Sequence, residues 1–288
     1  MNRDILAVIQ ENMSTFSKGQ KRIANYILES YDKAAFMTAS KLGKRVNVSE
    51  STVVRFAAEL GYDGYPSMQK SLQKMIRNRL TSVQRIEVAN DRMGDQDVLD
   101  MVLQSDIEKI RMTMEEIDRN SFEKASDAIV HARRIYIIGV RSSAAIATFI
   151  SFYFNLIFEN VVMITANTAS EVFESLLRVG EGDVVIGISF PRYSSRAVQA
   201  MSFARDRGAT TIAITDSEVS PLAAIARYTL KARSDMASFV DSLVAPLSLV
   251  NALLVSVSRK KNEDLSKTFQ TLEQIWEEYG VYEKASEQ

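Results

Sequence analysis

The sequence predicts two folded parts, an all-α helix-turn-helix domain followed by an α/β doubly wound domain with a five-stranded parallel sheet. Three observations predict it. Up to Leu80 the chain carries 13 basic and 7 acidic residues, and beyond it 22 basic and 29 acidic, so a basic head precedes an acidic body. Within the head, short helical patterns flank a tight turn. From Arg134 onward, short unbroken apolar runs alternate with helical patterns, as expected of parallel strands covered on both faces.

With 288 residues, 46% of them apolar and 25% charged, the chain has enough material for two cores. The absence of cysteine excludes disulfides, thiolate nucleophiles and cysteine-ligated metals, and a single histidine excludes a histidine-rich metal site. Neither a metal nor a cofactor is expected. No apolar run reaches the roughly 18–20 residues of a spanning helix, and acidic residues interrupt MNRDILAVIQENMSTF where a signal peptide would be apolar. The expected location is the cytoplasm, away from membranes.

In the head, Ser17-Lys18-Gly19-Gln20 fits a capping box, and Ile23, Ile27, Leu28 and Tyr31 follow at helical spacing. Thr38 can cap a second helix that turns Ala39, Leu42 and Val46 inward. In the turn Val46-Asn47-Val48, Asn47 occupies the position that must tolerate positive φ. Ser49 caps a third helix, on which Val53, Phe56, Ala57 and Leu60 form one stripe, and Gly61 can end it in the left-handed conformation. Ser51 and Arg55 centre the opposite face, flanked by Thr52, Val54 and Ala58. Small polar residues and an arginine facing outward suit a recognition helix, and a plain three-helix bundle with a polar face is the alternative. After Pro66, Lys70, Lys74 and Arg77 share a helix face that either grips phosphate or is simply solvated.

The stretch TASKLGKRVNVSESTVVRFAAELGYDGYPSMQKSL resembles the N-terminal domain of the RpiR/MurR transcriptional regulators, most closely at Val48-Ser49, Thr52-Val53-Val54-Arg55-Phe56 and Leu60-Gly61-Tyr62. The resemblance implies a winged or extended helix-turn-helix with a double-stranded DNA operator as partner, approached by Ser49, Ser51, Thr52 and Arg55. The domain is expected over residues 1–79, and residues 80–104 read as a linker.

In the body, RIYIIG, VVMIT, DVVIGIS, TTIAIT and YTLKA read as strands, with helices expected over Asp97–Ile117, Ser121–Ala132, Ser142–Phe158, Ser170–Arg178, Ser195–Arg207 and Ser238–Ser258. Doubly wound sheets bind ligands beyond the C-terminal strand ends, where loops meet helix N-termini. Two such loops, Gly139-Val140-Arg141-Ser142-Ser143 and Ser189-Phe190-Pro191-Arg192-Tyr193-Ser194, are rich in hydroxyls and each holds an arginine. Only Gly139 is present of the three glycines a dinucleotide loop requires, so a phosphate monoester suits the site better. Alternatively, the serines are only helix caps.

Residues from about Ile107 to Arg259 resemble the SIS domain, a phosphosugar-binding family. Its first motif matches Gly139 to Ser143 and its second matches Ser189 and Ser194, whereas Arg141 and Arg192 stand where glycines are usual and Pro191 where serine is. The loop with Ile214-Thr215-Asp216-Ser217 resembles the one that follows the family's fourth strand. The resemblance implies a phosphorylated sugar as effector, held by Gly139, Ser142, Ser143, Ser189 and Ser194 with Glu171 near the second strand's exit, while Arg141 and Arg192, as departures from the family, either add affinity for the anion or pair with acids inside the fold. The domain is expected over 105–262, followed by a tail helix over 263–288, with a homodimer or homotetramer as the assembly. A sugar-phosphate isomerase is the competing function, with Glu171 as base. His131 precedes the first strand, on the edge opposite the loops, and an enzyme has no need of the basic head. A ligand-free dimerisation scaffold is the third possibility.

Overall fold

A computed structural model describes residues 5–76, 81, 83–87, 97–165, 168–234 and 240–282. The chain divides into two compact units, one over Met1–Val102 with Met236–Val240 and one over Leu103–Asp235 with Asp241–Gln288.

The first unit contains α1 (Ile5–Glu11), α2 (Lys18–Glu29), α3 (Tyr31–Ala34), α4 (Ala39–Arg45), α5 (Glu50–Glu59) and α6 (Tyr65–Ile76). The local signals act as their chemistry dictates. Ser17 and Gln20 form the reciprocal capping box, Thr38 caps α4 and Ser49 caps α5. Asn47 has φ 55° and Gly61 φ 84°. Val53, Phe56 and Ala57 are buried, with Phe56 edge-on to Phe16 at 5.1 Å. A Cβ on Gly43 would lie 2.9 Å from the Val48 carbonyl oxygen, so the turn crosses α4 at backbone distance. The stripe expected to run through Tyr31 instead breaks at Ser30, whose φ of −138° is not helical, and Tyr31 opens α3. The sequence reading assigned no element to α1, which is 7 residues long and buries only Ile5 and Ile9.

Next come α7 (Val98–Glu116), whose first turn still counts in the first unit, and α8 (Arg119–Val130), which precede the sheet of the second unit. Then follow β1 (Ile135–Gly139), α9 (Ser143–Ile157), β2 (Val161–Ile164), α10 (Ala169–Ser175), β3 (Val184–Ile188), α11 (Ser195–Asp206), β4 (Thr210–Thr215) and β5 (Tyr228–Lys231). The apolar α12 (Val244–Lys260) and the amphipathic α13 (Asn262–Glu278) complete it. All five strands pair in parallel in the order β2-β1-β3-β4-β5. Side chains alternate between faces, and both faces are covered. Ile135 and Ile137 pack with Ile146 and Phe154 on one side, while Tyr136 and Ile138 pack with Leu176 and Met201 on the other. This two-sided burial explains why the strands read as unbroken apolar runs.

The helix expected from Ser238 begins at Val244, whereas α7 over Val98–Glu116 matches the helix expected over Asp97–Ile117 and takes up the end of the stretch read as a linker. Ser142, expected to open α9, adopts an αR conformation at its N-terminus and makes no side-chain capping bond. At the N-terminal edge of the sheet, Arg133 grips buried Asp183 with two hydrogen bonds of 2.9 and 2.8 Å, which raise the pKa of the guanidinium.

Candidate functional site

The sheet reverses its winding between β1 and β3, since β2 lies on one side of β1 while β4 and β5 lie beyond β3. In doubly wound sheets the loops at such a reversal leave in opposite directions and open a crevice. Both loops singled out in the sequence leave this point, and their strand ends Gly139 and Ile188 are register partners. Gly139 lets α9 start hard against the strand end, because a side chain there would collide with the first turn of that helix.

Arg141 has φ 59° and Arg192 φ 66°, and with Asn47 these are the only non-glycine residues of positive φ among the described residues. An arginine gains nothing locally from this conformation, and such residues persist where their surroundings hold them. The two replacements of family glycines thus keep a glycine-like backbone and add an exposed guanidinium to each loop.

Ser189 is 3% exposed, and its Oγ accepts a hydrogen bond from the Ser194 amide at 3.0 Å, which ties the β3 loop across its base. The Ser194 hydroxyl caps α11 by accepting from Ala197 N at 3.5 Å. Ser142 is exposed and Ser143 buried at the start of α9. The structure therefore places Gly139, Arg141, Ser142, Ser143, Ser189, Arg192 and Ser194 on two neighbouring loops at one edge of the sheet. Glu171 is differently placed: after β2 it forms a capping box with Thr168, its carboxylate accepting from Thr168 N at 3.2 Å. That cap occupies the carboxylate with its own helix. His131 lies at the C-terminus of α8, with Nδ1 2.8 Å from the Asp127 carbonyl, before β1 and therefore at the other end of the strands.

The sequence reading passed over Tyr193. Its hydroxyl donates to Asp216 Oδ1 at 2.7 Å and joins the loops after β3 and β4. A lone tyrosine in a loop has no periodicity to mark it.

In the first unit, Ser49, Ser51 and Arg55 are exposed and Thr52 is half-buried, all on the first two turns of α5 or its cap. Ser49 Oγ lies 2.9 Å from Ser51 Oγ and 2.8 Å from Thr52 Oγ1, and Arg55 Nε donates to the Ser51 carbonyl at 3.4 Å. This is a compact polar surface on the second helix of a helix-turn-helix. Lys70 is exposed on α6, and the side chain of Lys74 and all of Arg77 lie outside the described residues.

Two family models match the chain: the helix-turn-helix domain of the rpiR family over residues 3–79 and the SIS domain over residues 128–256. An HTH-type transcriptional regulator of Caldanaerobacter subterraneus is 26% identical over 277 residues, covering 94% of this chain and 96% of that one. The HTH-type transcriptional regulator HexR of Escherichia coli is 26% identical over 263 residues, 90% of this chain and 89% of its own. Among solved structures, the sugar isomerase domain of an RpiR transcription factor from Sphaerobacter thermophilus is 28% identical with a TM-score of 0.59, covering 62% of this chain and 99% of that one. The Vibrio vulnificus NanR protein, complexed with ManNAc-6P, is 24% identical with a TM-score of 0.60, covering 97% of this chain and 100% of its own.

Proposed function

We propose that this chain, which carries the helix-turn-helix domain of the rpiR family and a SIS domain, is a transcriptional regulator whose hold on operator DNA is controlled by a phosphorylated sugar bound at the β1 and β3 loops. The observation that supports this most is the pair of left-handed arginines, Arg141 and Arg192, on adjacent loops at the winding reversal. Guanidinium groups beside hydroxyls and helix N-terminal amides suit a phosphate monoester. Gly139 gives the backbone close approach, Ser142, Ser143, Ser189 and Ser194 provide hydroxyls, and the arginines provide charge. Glu171 has at most an indirect part, through the position of α10.

On the DNA side, Ser49, Ser51, Thr52 and Arg55 meet the major groove while Lys70 and Lys74 contact phosphates. Two copies read a two-fold operator, as a homodimer or as half of a homotetramer in the cytoplasm. Catalysis is not part of the reading. Glu171 is engaged as a cap, and His131 belongs to the end of the strands away from the loops.

Thermal melting against a panel of sugar phosphates, ManNAc-6P among them, tests the proposal. A ligand at about a hundredfold its Kd adds about 2.7 kcal/mol, which raises the melting temperature by about 5–10 °C. No shift from any member at millimolar concentration, with a shift from an unphosphorylated ligand instead, would overturn it.

A further inference from the structure

We propose that a hydrogen-bonded relay links the β3 loop to α7, the helix on which the chain passes from one compact unit to the other, and that this relay reports the effector to the DNA-binding unit. The inference rests on the reading above that the effector occupies that loop.

Every link lies in the second unit. The loop is closed at its base by the Ser194 amide on Ser189 Oγ, and Tyr193 within it donates to Asp216 Oδ1 at 2.7 Å. Next to Asp216, the carbonyl of Thr215 accepts from Ala232 N at 2.8 Å, just past the end of β5. The following residue, Arg233, donates its amide to Thr113 Oγ1 on α7 at 2.9 Å, and its guanidinium pairs with Glu116 on the same helix. A second strap runs in parallel: Ser234 Oγ donates to the Ser242 carbonyl at 3.0 Å, and Ser242 Oγ donates to Asp106 Oδ1 at 2.7 Å. Lys109 Nζ lies 3.1 Å from that same carboxylate oxygen.

Two features make this more than ordinary loop packing. Its inner members are withdrawn from water, with Thr215 0%, Ser234 1%, Ser189 3%, Thr113 8% and Asp216 9% exposed, so a broken link among them is not readily replaced by solvent, whereas Tyr193 and Arg233 are half-buried and Glu116 is exposed. The buried residues of α7, Lys109 and Thr113, are both polar. The helix is therefore seated on the ligand edge of the sheet by directional bonds, with no buried apolar side chain of its own to fix it. Such a seat can exchange one set of partners for another, as a two-state element requires. Movement of Tyr193 when an anion occupies the β3 loop shifts Asp216, then the strand end that holds Thr113 and Glu116.

Hydrogen exchange on the full-length, ligand-free protein tests the relay. Tyr193→Phe removes only the hydroxyl at the far end, and amides over 103–116 are expected to exchange at least threefold faster while those of β1 stay at the wild-type rate. Thr113→Val, which cuts the other end, is expected to give the same pattern over α7. Unchanged α7 exchange in Tyr193→Phe, with faster exchange confined to the β3 loop, would overturn the relay. This readout needs no effector, so a melting panel without a shift would count against the effector reading alone.

Discussion

A Cβ on Gly139 would stand 2.4 Å from the carbonyl oxygen of Ser143, closer than a carbon and a backbone oxygen can approach. The end of β1 and the first turn of α9 are thus fitted to each other at a position where only hydrogen is tolerated. Gly139→Ala is expected to cost about 1–3 kcal/mol, because backbone must move to admit the methyl group. The melting temperature of the full-length protein should fall by about 2–10 °C, and the shift produced by sugar phosphate should shrink with it. Wild-type melting in the variant would show that the two elements can separate freely.

Arg141→Gly tests the left-handed arginines. The left-handed conformation costs a non-glycine residue about 1–2 kcal/mol, and glycine gives back about 0.5–1 kcal/mol in unfolded-state entropy. Melting without ligand should stay level or rise by up to about 4 °C while the ligand-induced shift falls. A variant that melts lower and keeps the full shift would separate Arg141 from the ligand.

Arg55→Ala and Lys70→Ala should differ in kind. If Arg55 reads a guanine edge, its loss costs about 1–3 kcal/mol and relaxes preference at one base pair, whereas loss of Lys70 weakens all sequences alike and reduces the salt slope by about one. Binding titrations on matched operators at two salt concentrations distinguish them.

Much of the architecture was legible in the sequence because local chemistry and tertiary packing agree. Ser17, Thr38 and Ser49 cap helices, Asn47 and Gly61 take the left-handed conformation, and the apolar runs become strands of a two-sided sheet. The candidate site was legible as two loops, because glycine, hydroxyls and arginine concentrate there. The positive φ of Arg141 and Arg192 was not legible from their own propensities, which oppose it; only the glycines expected at those positions hinted at it. The capping role of Glu171 was written in the sequence as Thr168 with Glu171 three residues on, although its place near the exit of β2 pointed instead to the effector or, in the competing isomerase, to a base. Contacts such as Tyr193 with Asp216 and Arg233 with Thr113 join residues 23 and 120 positions apart, and no local pattern announces them.

Tyr65 gives the first unit a pH dependence of known sign. Its hydroxyl is buried and donates to the Met37 carbonyl at 2.7 Å, and burial raises its pKa from 10.0 to about 12. Between these values the unfolded chain releases the phenolic proton while the folded chain keeps it. The contribution is therefore complete below pH 10 and is lost as the pH rises toward 12. Unfolding free energy should fall by about 1.4 kcal/mol per pH unit in that window, and Tyr65→Phe should flatten the slope while lowering stability at neutral pH. Urea unfolding at pH 8, 10 and 11 measures both; an unaltered slope in the variant would assign the dependence elsewhere.

Occupancy of the β1 and β3 loops is expected to change the grip on DNA. The most direct measurement is operator affinity, by fluorescence anisotropy, on a duplex selected from a random library, with and without the sugar phosphate that shifts melting. The account predicts at least a fivefold change in operator Kd for the wild-type chain, a coupling of about 1 kcal/mol. It also predicts no change for Ser189→Ala/Ser194→Ala, whose effector-free affinity should stay near wild type. Equal operator affinity with and without saturating sugar phosphate in the wild-type chain would contradict it.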